Sequence, residues 1–213
     1  YKENGGVIFP NPNAPTGISE SKLLIEDIVK HNEDVIIIVD EAYVDFDDSG
    51  SAIDLIDKYE NLLVVQTFSK SRSMAGMRIG FAIGSKEVIA ALNNVKYSFN
   101  SYTMDALSLH MGVEAVRDVS YFNSRVEQIV STREWVKEEL KHLSFTFPDS
   151  KANFIFAKHT TIEAKHIFQE LKSKNIYVRY FDKPRIDNYL RISIGTREEM
   201  EVFIEALKDI IKN

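Results

Sequence analysis

Val35-Ile36-Ile37-Ile38-Val39-Asp40-Glu41-Ala42-Tyr43 opens with an unbroken β-branched run that stops at a carboxylate. β-Branched side chains suit an extended backbone, and a run without polar alternation reads as a strand buried on both faces, with Asp40 at its carboxyl end. Leu62-Leu63-Val64-Val65 and Ile79-Gly80-Phe81-Ala82-Ile83 read the same way. Upstream, Leu24, Ile25, Ile28 and Val29 recur at helical spacing within residues 21–30. Strands therefore alternate with helices, the signature of an α/β fold with a mostly parallel sheet. Ligands of such sheets collect beyond the carboxyl ends of the strands, where Asp40 and the loop Thr67-Phe68-Ser69-Lys70 fall.

Further along, Phe122, Val126, Ile129, Val130, Val136, Leu140 and Leu143 predict one long amphipathic helix from Val119 to Leu143 that bridges two domains. After Pro148 the pattern is strand (Phe154–Ala157), helix (Ile162–Leu171), strand (Ile176–Arg179), strand (Leu190–Ile194) and a final helix, a small α+β domain. Thr160 with Glu163, and Thr196 with Glu199, fit capping boxes at the starts of its two helices.

The composition narrows the chemistry. With 213 residues, 44% of them hydrophobic, the chain can bury a sizeable core. A net charge of −6 argues against nucleic acid as the main partner and leaves room for a local basic pocket that takes a small anion. There is no cysteine, which removes disulfides, thiolate catalysis and Cys-based metal sites and suits a reducing cytoplasm. The histidines, His31, His110, His142, His159 and His166, show no metal-ligand spacing. No apolar run is long enough to span a bilayer, and the first residues lack the pattern of a signal peptide. The chain starts at Tyr1 rather than methionine and enters almost at once on Val7-Ile8-Phe9, so we expect a piece of a longer protein.

The densest chemical signal is Thr67-Phe68-Ser69-Lys70-Ser71-Arg72, continued by Ala75-Gly76-Met77-Arg78-Ile79-Gly80. Hydroxyls and arginines around one lysine suit a phosphate: hydroxyls donate to its oxygens, Arg78 can pair with it through two bonds, and Gly76 lets backbone approach. By residue types alone, a solvated Ser/Arg turn explains the loop equally well.

Two further motifs decide between these readings. Asn11-Pro12-Asn13-Ala14-Pro15-Thr16-Gly17, then Asp40-Glu41-Ala42-Tyr43, then Ser69-Lys70 with Arg78 eight residues on, resembles in order the cofactor site of the fold-type I, pyridoxal-phosphate-dependent aminotransferases. The resemblance implies that pyridoxal 5'-phosphate is the cofactor and that Lys70 is its covalent Schiff-base attachment point and the proton carrier of catalysis. It implies that Asp40 pairs with the pyridine nitrogen, that Tyr43 donates to the phenolic oxygen, and that Thr67, Ser69 and Arg78 hold the phosphate. Members of the family usually carry asparagine immediately before the Pro-Thr-Gly, where this chain has Ala14. Either Asn13 takes over its bond or Tyr43 serves the oxygen alone.

Near the C-terminus, Tyr189-Leu190-Arg191-Ile192-Ser193 resembles the family segment whose arginine binds the substrate carboxylate. Arg179 matches a second arginine, which in the histidinol-phosphate aminotransferases contacts the substrate phosphate, and Gly195-Thr196-Arg197-Glu198-Glu199 is similar to the same subfamily. The implied reaction is amino transfer between histidinol phosphate and 2-oxoglutarate in histidine biosynthesis, by a homodimer. An aromatic amino-acid aminotransferase and a phosphothreonine decarboxylase of the same fold are the alternatives. The resemblance covers the whole chain but begins inside the family's large domain. It implies the later part of the cofactor-binding domain in residues 1–118, a connecting helix in 119–147 and a small domain in 148–213. A piece lacking the earlier part is expected to be inactive by itself.

Overall fold

The computed structural model describes residues 4–212. They form two compact units, one running through Asn13 and then Ser19–Asn123, the other comprising Ala14–Ile18 and the chain from Ser124 onward.

In the first unit, β1 (Val7–Pro10), β2 (Ile37–Asp40) and β3 (Leu62–Thr67) are parallel neighbours, and β4 (Gly80–Gly84) closes the order β1-β2-β3-β4 by pairing antiparallel to β3. Helix α1 (Lys22–Lys30) starts where Ser21 accepts the amide of Leu24 and lays Ile25, Ile28 and Val29 on the sheet. With Ile37, Val39, Leu62, Val64 and the 3-10 turn Ala52–Leu55 they make the core of this unit. Each such aliphatic side chain contributes about 1.5–3 kcal/mol through burial.

Two expectations need correction. The β2 run is buried on one face only: Ile37 and Val39 are sealed, whereas Ile36 is 38% exposed, because α1 and the 3-10 turn cover a single side. The strand expected at Ile79–Ile83 begins at Gly80, and its Phe81 is exposed. Two helices were not anticipated, α2 (Lys86–Phe99) and α3 (Ala106–Arg117). No residue of α2 is buried, and Leu92, Val95, Tyr97 and Phe99 stand exposed, as do Leu107, Leu109, Val113 and Val116 of α3.

The long helix α4 (Val119–His142) runs out of the first unit after Asn123. In the second unit its buried stripe is Thr132, Arg133, Val136, Lys137 and Leu140, so two cations occupy positions where apolar residues were expected. They are satisfied there: Arg133 donates to the Ala152 carbonyl at 3.0 Å, and Lys137 bonds Asp149 at 2.6 Å and Glu134 at 2.9 Å. The rest of the unit is an antiparallel sheet of order β5-β6-β8-β7, made by β5 (Phe145–Thr146), β6 (Phe154–His159), β7 (Arg179–Tyr180) and β8 (Leu190–Ser193). Helices α5 (Ala164–Ser173) and α6 (Arg197–Lys212) pack on one face of it, over Ile155, Ala157, Leu190 and Ile192.

The capping box at α6 is present: Thr196 N–H donates to Glu199 and Glu199 N–H to the Thr196 hydroxyl. The one at Thr160 is not. Helix α5 starts later, at Ala164, whose N–H donates to Asn188 at 3.0 Å. The turn before it is held by His159, whose Nδ1 accepts the amides of Thr161 and Ile162 at 3.2 and 3.0 Å. The strand expected from Ile176 is only two residues long, Arg179–Tyr180, and β8 stops at Ser193. Among the described residues no helix is long and apolar enough to cross a membrane.

Candidate functional site

The parallel register brings three strand ends together in the first unit. Asn11 N–H donates to the Asp40 carbonyl at 2.9 Å, and Glu41 N–H donates to the Val65 carbonyl at 2.8 Å, so the Asn11–Asn13 segment, Asp40 and the end of β3 lie side by side. This is the carboxyl edge of the sheet, where α/β folds bind ligands. Asn11 is buried and clips its own loop, accepting the Glu20 amide at 2.7 Å and donating to the Glu20 carbonyl at 3.2 Å. Asn13 is half-buried beyond it.

At the end of β2 the half-buried Asp40 accepts the Ala42 amide at 3.0 Å. Three residues after Asp40, the buried Tyr43 presents its ring to Lys70, whose Nζ lies 5.2 Å from the ring centroid. An ammonium over an aromatic face is an attractive pair. At the end of β3, Thr67 donates to the Ile79 carbonyl at 3.2 Å and accepts the Ser69 amide at 3.1 Å, which turns the chain sharply before Lys70. Ser73 N–H then closes a turn back to the Lys70 carbonyl at 3.0 Å. Arg78 is exposed, sits in the left-handed region at φ 56° and bonds its guanidinium to the Ala75 carbonyl at 3.0 Å. The expected cofactor residues Asn13, Asp40, Tyr43, Thr67, Ser69, Lys70 and Arg78 thus all belong to this unit, around the ends of β1, β2 and β3.

Two residues beside the site have roles that their types did not disclose. Glu41 is only 2% exposed, and its carboxylate accepts from Ser51 Oγ at 2.5 Å, Ala52 N at 2.6 Å and Gln66 Nε2 at 2.8 Å, tying β2 to β3 directly behind Asp40. Its place next to Asp40, at the end of an apolar strand, is the signal that could have found it. Ser71 is buried and donates to the Asp45 carboxylate, fixing the far side of the lysine loop. A cavity of about 600 Å³ adjoins that loop, lined by Ser71, Arg72, Met77, Met111 and Phe122 and not by Lys70, Asp40 or Tyr43.

The expected substrate residues lie in the second unit. Arg191 of β8 pairs directly with Phe156 of β6 on one side and Arg179 of β7 on the other, so the three side chains form a row on the sheet face opposite the core. That face is aromatic and cationic. Phe156 stacks on Tyr189 at 4.4 Å and meets the edge of Phe181 at 6.1 Å, while Lys158 lies 5.3 Å over Tyr189 and Arg179 5.5 Å over Phe181. Arg191 lies 5.1 Å over Phe154, and its Nε is buried with no hydrogen-bond partner among the described residues. Like charges directly across a strand pair repel, and an unpaired buried donor costs about 1–3 kcal/mol. An anion held between the two guanidinium groups would offset the repulsion.

The family described as aminotransferase class I and II matches residues 1–207. A histidinol-phosphate aminotransferase of Brachyspira hyodysenteriae is 52% identical over 214 residues, covering 100% of this chain and 60% of the relative. One from Clostridium botulinum is 51% identical over 207 residues, 97% of this chain and 58% of the relative. The chain therefore spans about 60% of the length of the curated relatives it matches. Among solved structures, the histidinol-phosphate aminotransferase of Clostridium acetobutylicum superposes with a TM-score of 0.90 at 26% identity, over 98% of this chain and 64% of that one.

Proposed function

The chain belongs to the class I and II aminotransferase family, and from that premise we propose that the protein it comes from transfers an amino group between histidinol phosphate and 2-oxoglutarate, with pyridoxal 5'-phosphate as cofactor. The observation that carries the substrate assignment is the Arg179–Arg191 pair, two cations opposed across β7 and β8 with the Arg191 Nε left without a partner among the described residues. A phosphate dianion or a carboxylate accepts bonds from two guanidinium groups at once. The aromatic rings of Phe156, Phe181 and Tyr189 on the same face suit a substrate that couples such an anion to a flat ring.

The residues of the first unit fit the cofactor by their chemistry. When bound, pyridoxal phosphate supplies an electron sink for the bond broken at the substrate carbon. Lys70 would hold it and, once released, move a proton to and from that carbon. Asp40 would keep the proton on the ring nitrogen by placing a carboxylate beside it. Tyr43 and Asn13 would donate to the ring oxygen, and Thr67, Ser69 and Arg78 to the phosphate. We assign residues 1–118 to the cofactor domain, 119–147 to a connector and 148–213 to the small domain of a homodimeric enzyme, whose setting we take to be the cytoplasm.

The test uses the full-length protein. Adding pyridoxal phosphate should raise the absorbance band of the lysine-bound cofactor, and Lys70→Ala should abolish it; no band with Lys70 intact sinks the cofactor assignment. Arg179→Ala should then impair turnover of histidinol phosphate while sparing phenylalanine and tyrosine. Equal losses on all three would refute the phosphate role.

A further inference from the structure

Three contacts between α3 and the segment that carries Lys70 fall on one line. Ser108 Oγ donates to the Met77 carbonyl at 3.1 Å. One turn later the buried Gly112 lies so close that an added Cβ would stand 3.1 Å from Ile79 Cδ1 and 3.9 Å from Phe68 Cε2. A turn beyond that, the Ala115 carbonyl accepts from Arg72 Nη1 at 2.6 Å. The spacing 108, 112, 115 is a single helix face. Ala115 belongs to the last turn of α3, where carbonyls lack partners further along the helix, so the Arg72 guanidinium serves as its cap and meets the negative end of the helix dipole. The guanidinium is also sandwiched, 5.2 Å from the Phe68 ring and 4.1 Å from the Phe122 ring.

Lys70 thus sits between two anchored neighbours, Phe68 held by Gly112 and Arg72, and Arg72 held by Ala115, Phe68 and Phe122. We infer that the Ser108–Gly112–Ala115 face of α3 is the template that sets the position of Lys70, with Arg72 as the positioning residue that couples them. The inference rests on the reading of Lys70 as the cofactor lysine. Arg72 acts through the turn that joins the Lys70 carbonyl to the Ser73 amide. Fixing residue 72 fixes the direction in which the lysine leaves the backbone. A covalent attachment point needs this, because its amine must meet one carbon of a cofactor held elsewhere by other groups.

The experiment is a titration of the full-length apoprotein with pyridoxal phosphate, followed by the band of the lysine-bound cofactor and by the pH midpoint of that band. Arg72→Met keeps the apolar stem between the rings and removes the bond to Ala115. It should weaken cofactor binding about tenfold, the worth of one charge-assisted hydrogen bond, and displace the pH midpoint. Arg72→Lys, which keeps a cation between the rings, should recover part of both, and Gly112→Val, which forces Phe68 and Ile79 away, should reproduce the Met variant. If the variants melt at lower temperature yet bind the cofactor with wild-type affinity and pH midpoint, α3 is scaffold alone and the inference is overturned. A wild-type protein with no band overturns the Lys70 reading and this inference with it.

Discussion

Replacing Glu41 separates the charge of that side chain from its shape. The carboxylate receives three donors, from Ser51, Ala52 and Gln66, in a place where it is only 2% exposed. In Glu41→Gln the amide oxygen keeps the Ala52 N–H, which cannot reorient, while the Ser51 hydroxyl rotates and the Gln66 amide turns to accept from the new NH₂. The loss is the charge assistance of these bonds, about 1–2 kcal/mol. In Glu41→Ala the buried Ala52 N–H has no acceptor, the half-buried Ser51 and Gln66 must find water, and a small void opens, together about 3–4 kcal/mol. Urea unfolding followed by circular dichroism measures both; tryptophan fluorescence does not serve, since the single tryptophan, Trp135, lies in the other unit. The order Ala worse than Gln, by about 2 kcal/mol, is the signature of unsatisfied donors. Equal costs, or two costs below about 0.5 kcal/mol, the range of ordinary surface substitutions, would refute the assignment of Glu41 as the tie between β2 and β3.

Burial pushes the His159 imidazole below its ordinary pKa, outweighing the Leu143 carbonyl that draws it upward. The folded state therefore prefers the neutral ring: its stability is full above about pH 6.5 and is lost as pH falls through the lower folded value. Urea midpoints should drop between pH 7.5 and 5.5, and His159→Asn, whose carbonyl can accept the Thr161 and Ile162 amides, should flatten that dependence; an unchanged slope would exclude the histidine. The Lys137 cluster should respond asymmetrically. Lys137→Met leaves Asp149 without its partner and Glu134 with Arg133 alone, both carboxylates being half or more exposed, and should cost under about 1 kcal/mol, whereas Glu134→Gln with Asp149→Asn removes both counter-charges from a buried ammonium and should cost about 3–5 kcal/mol by thermal or urea melts.

What could be read in advance followed from how local each feature is. Asp40, Tyr43 and Lys70 were legible because their order along the chain is itself the motif, and the parallel register then sets their strand ends side by side. Helix α1 was legible from one apolar stripe and one serine cap. Helices α2 and α3 were not, because α2 buries no residue at all and the buried face of α3 is carried by Ser108 and Gly112 rather than by an apolar stripe. In the sequence Arg72 groups with the arginines around Lys70 that suit a phosphate, and its bond to α3 was not legible, since its acceptor lies 43 residues away. The cap on α5 was misplaced because His159 does with a ring nitrogen what Thr160 was expected to do with a hydroxyl. In α4 the apolar periodicity hid two cations whose partners, Ala152 and Asp149, come from a later loop.

The exposed apolar residues between Leu92 and Tyr121 bear on how the chain behaves in the test tube. Apolar area of this kind, clustered along two successive helices, acts as a short-range adhesive between molecules, opposed only by the long-range repulsion of a net charge of −6. Salt screens the repulsion and leaves the adhesion in place, and sulfate or phosphate strengthens it. The second virial coefficient of this chain should therefore fall steeply with added ammonium sulfate, and dilute, low-salt buffer is the medium in which its two units are best studied one molecule at a time.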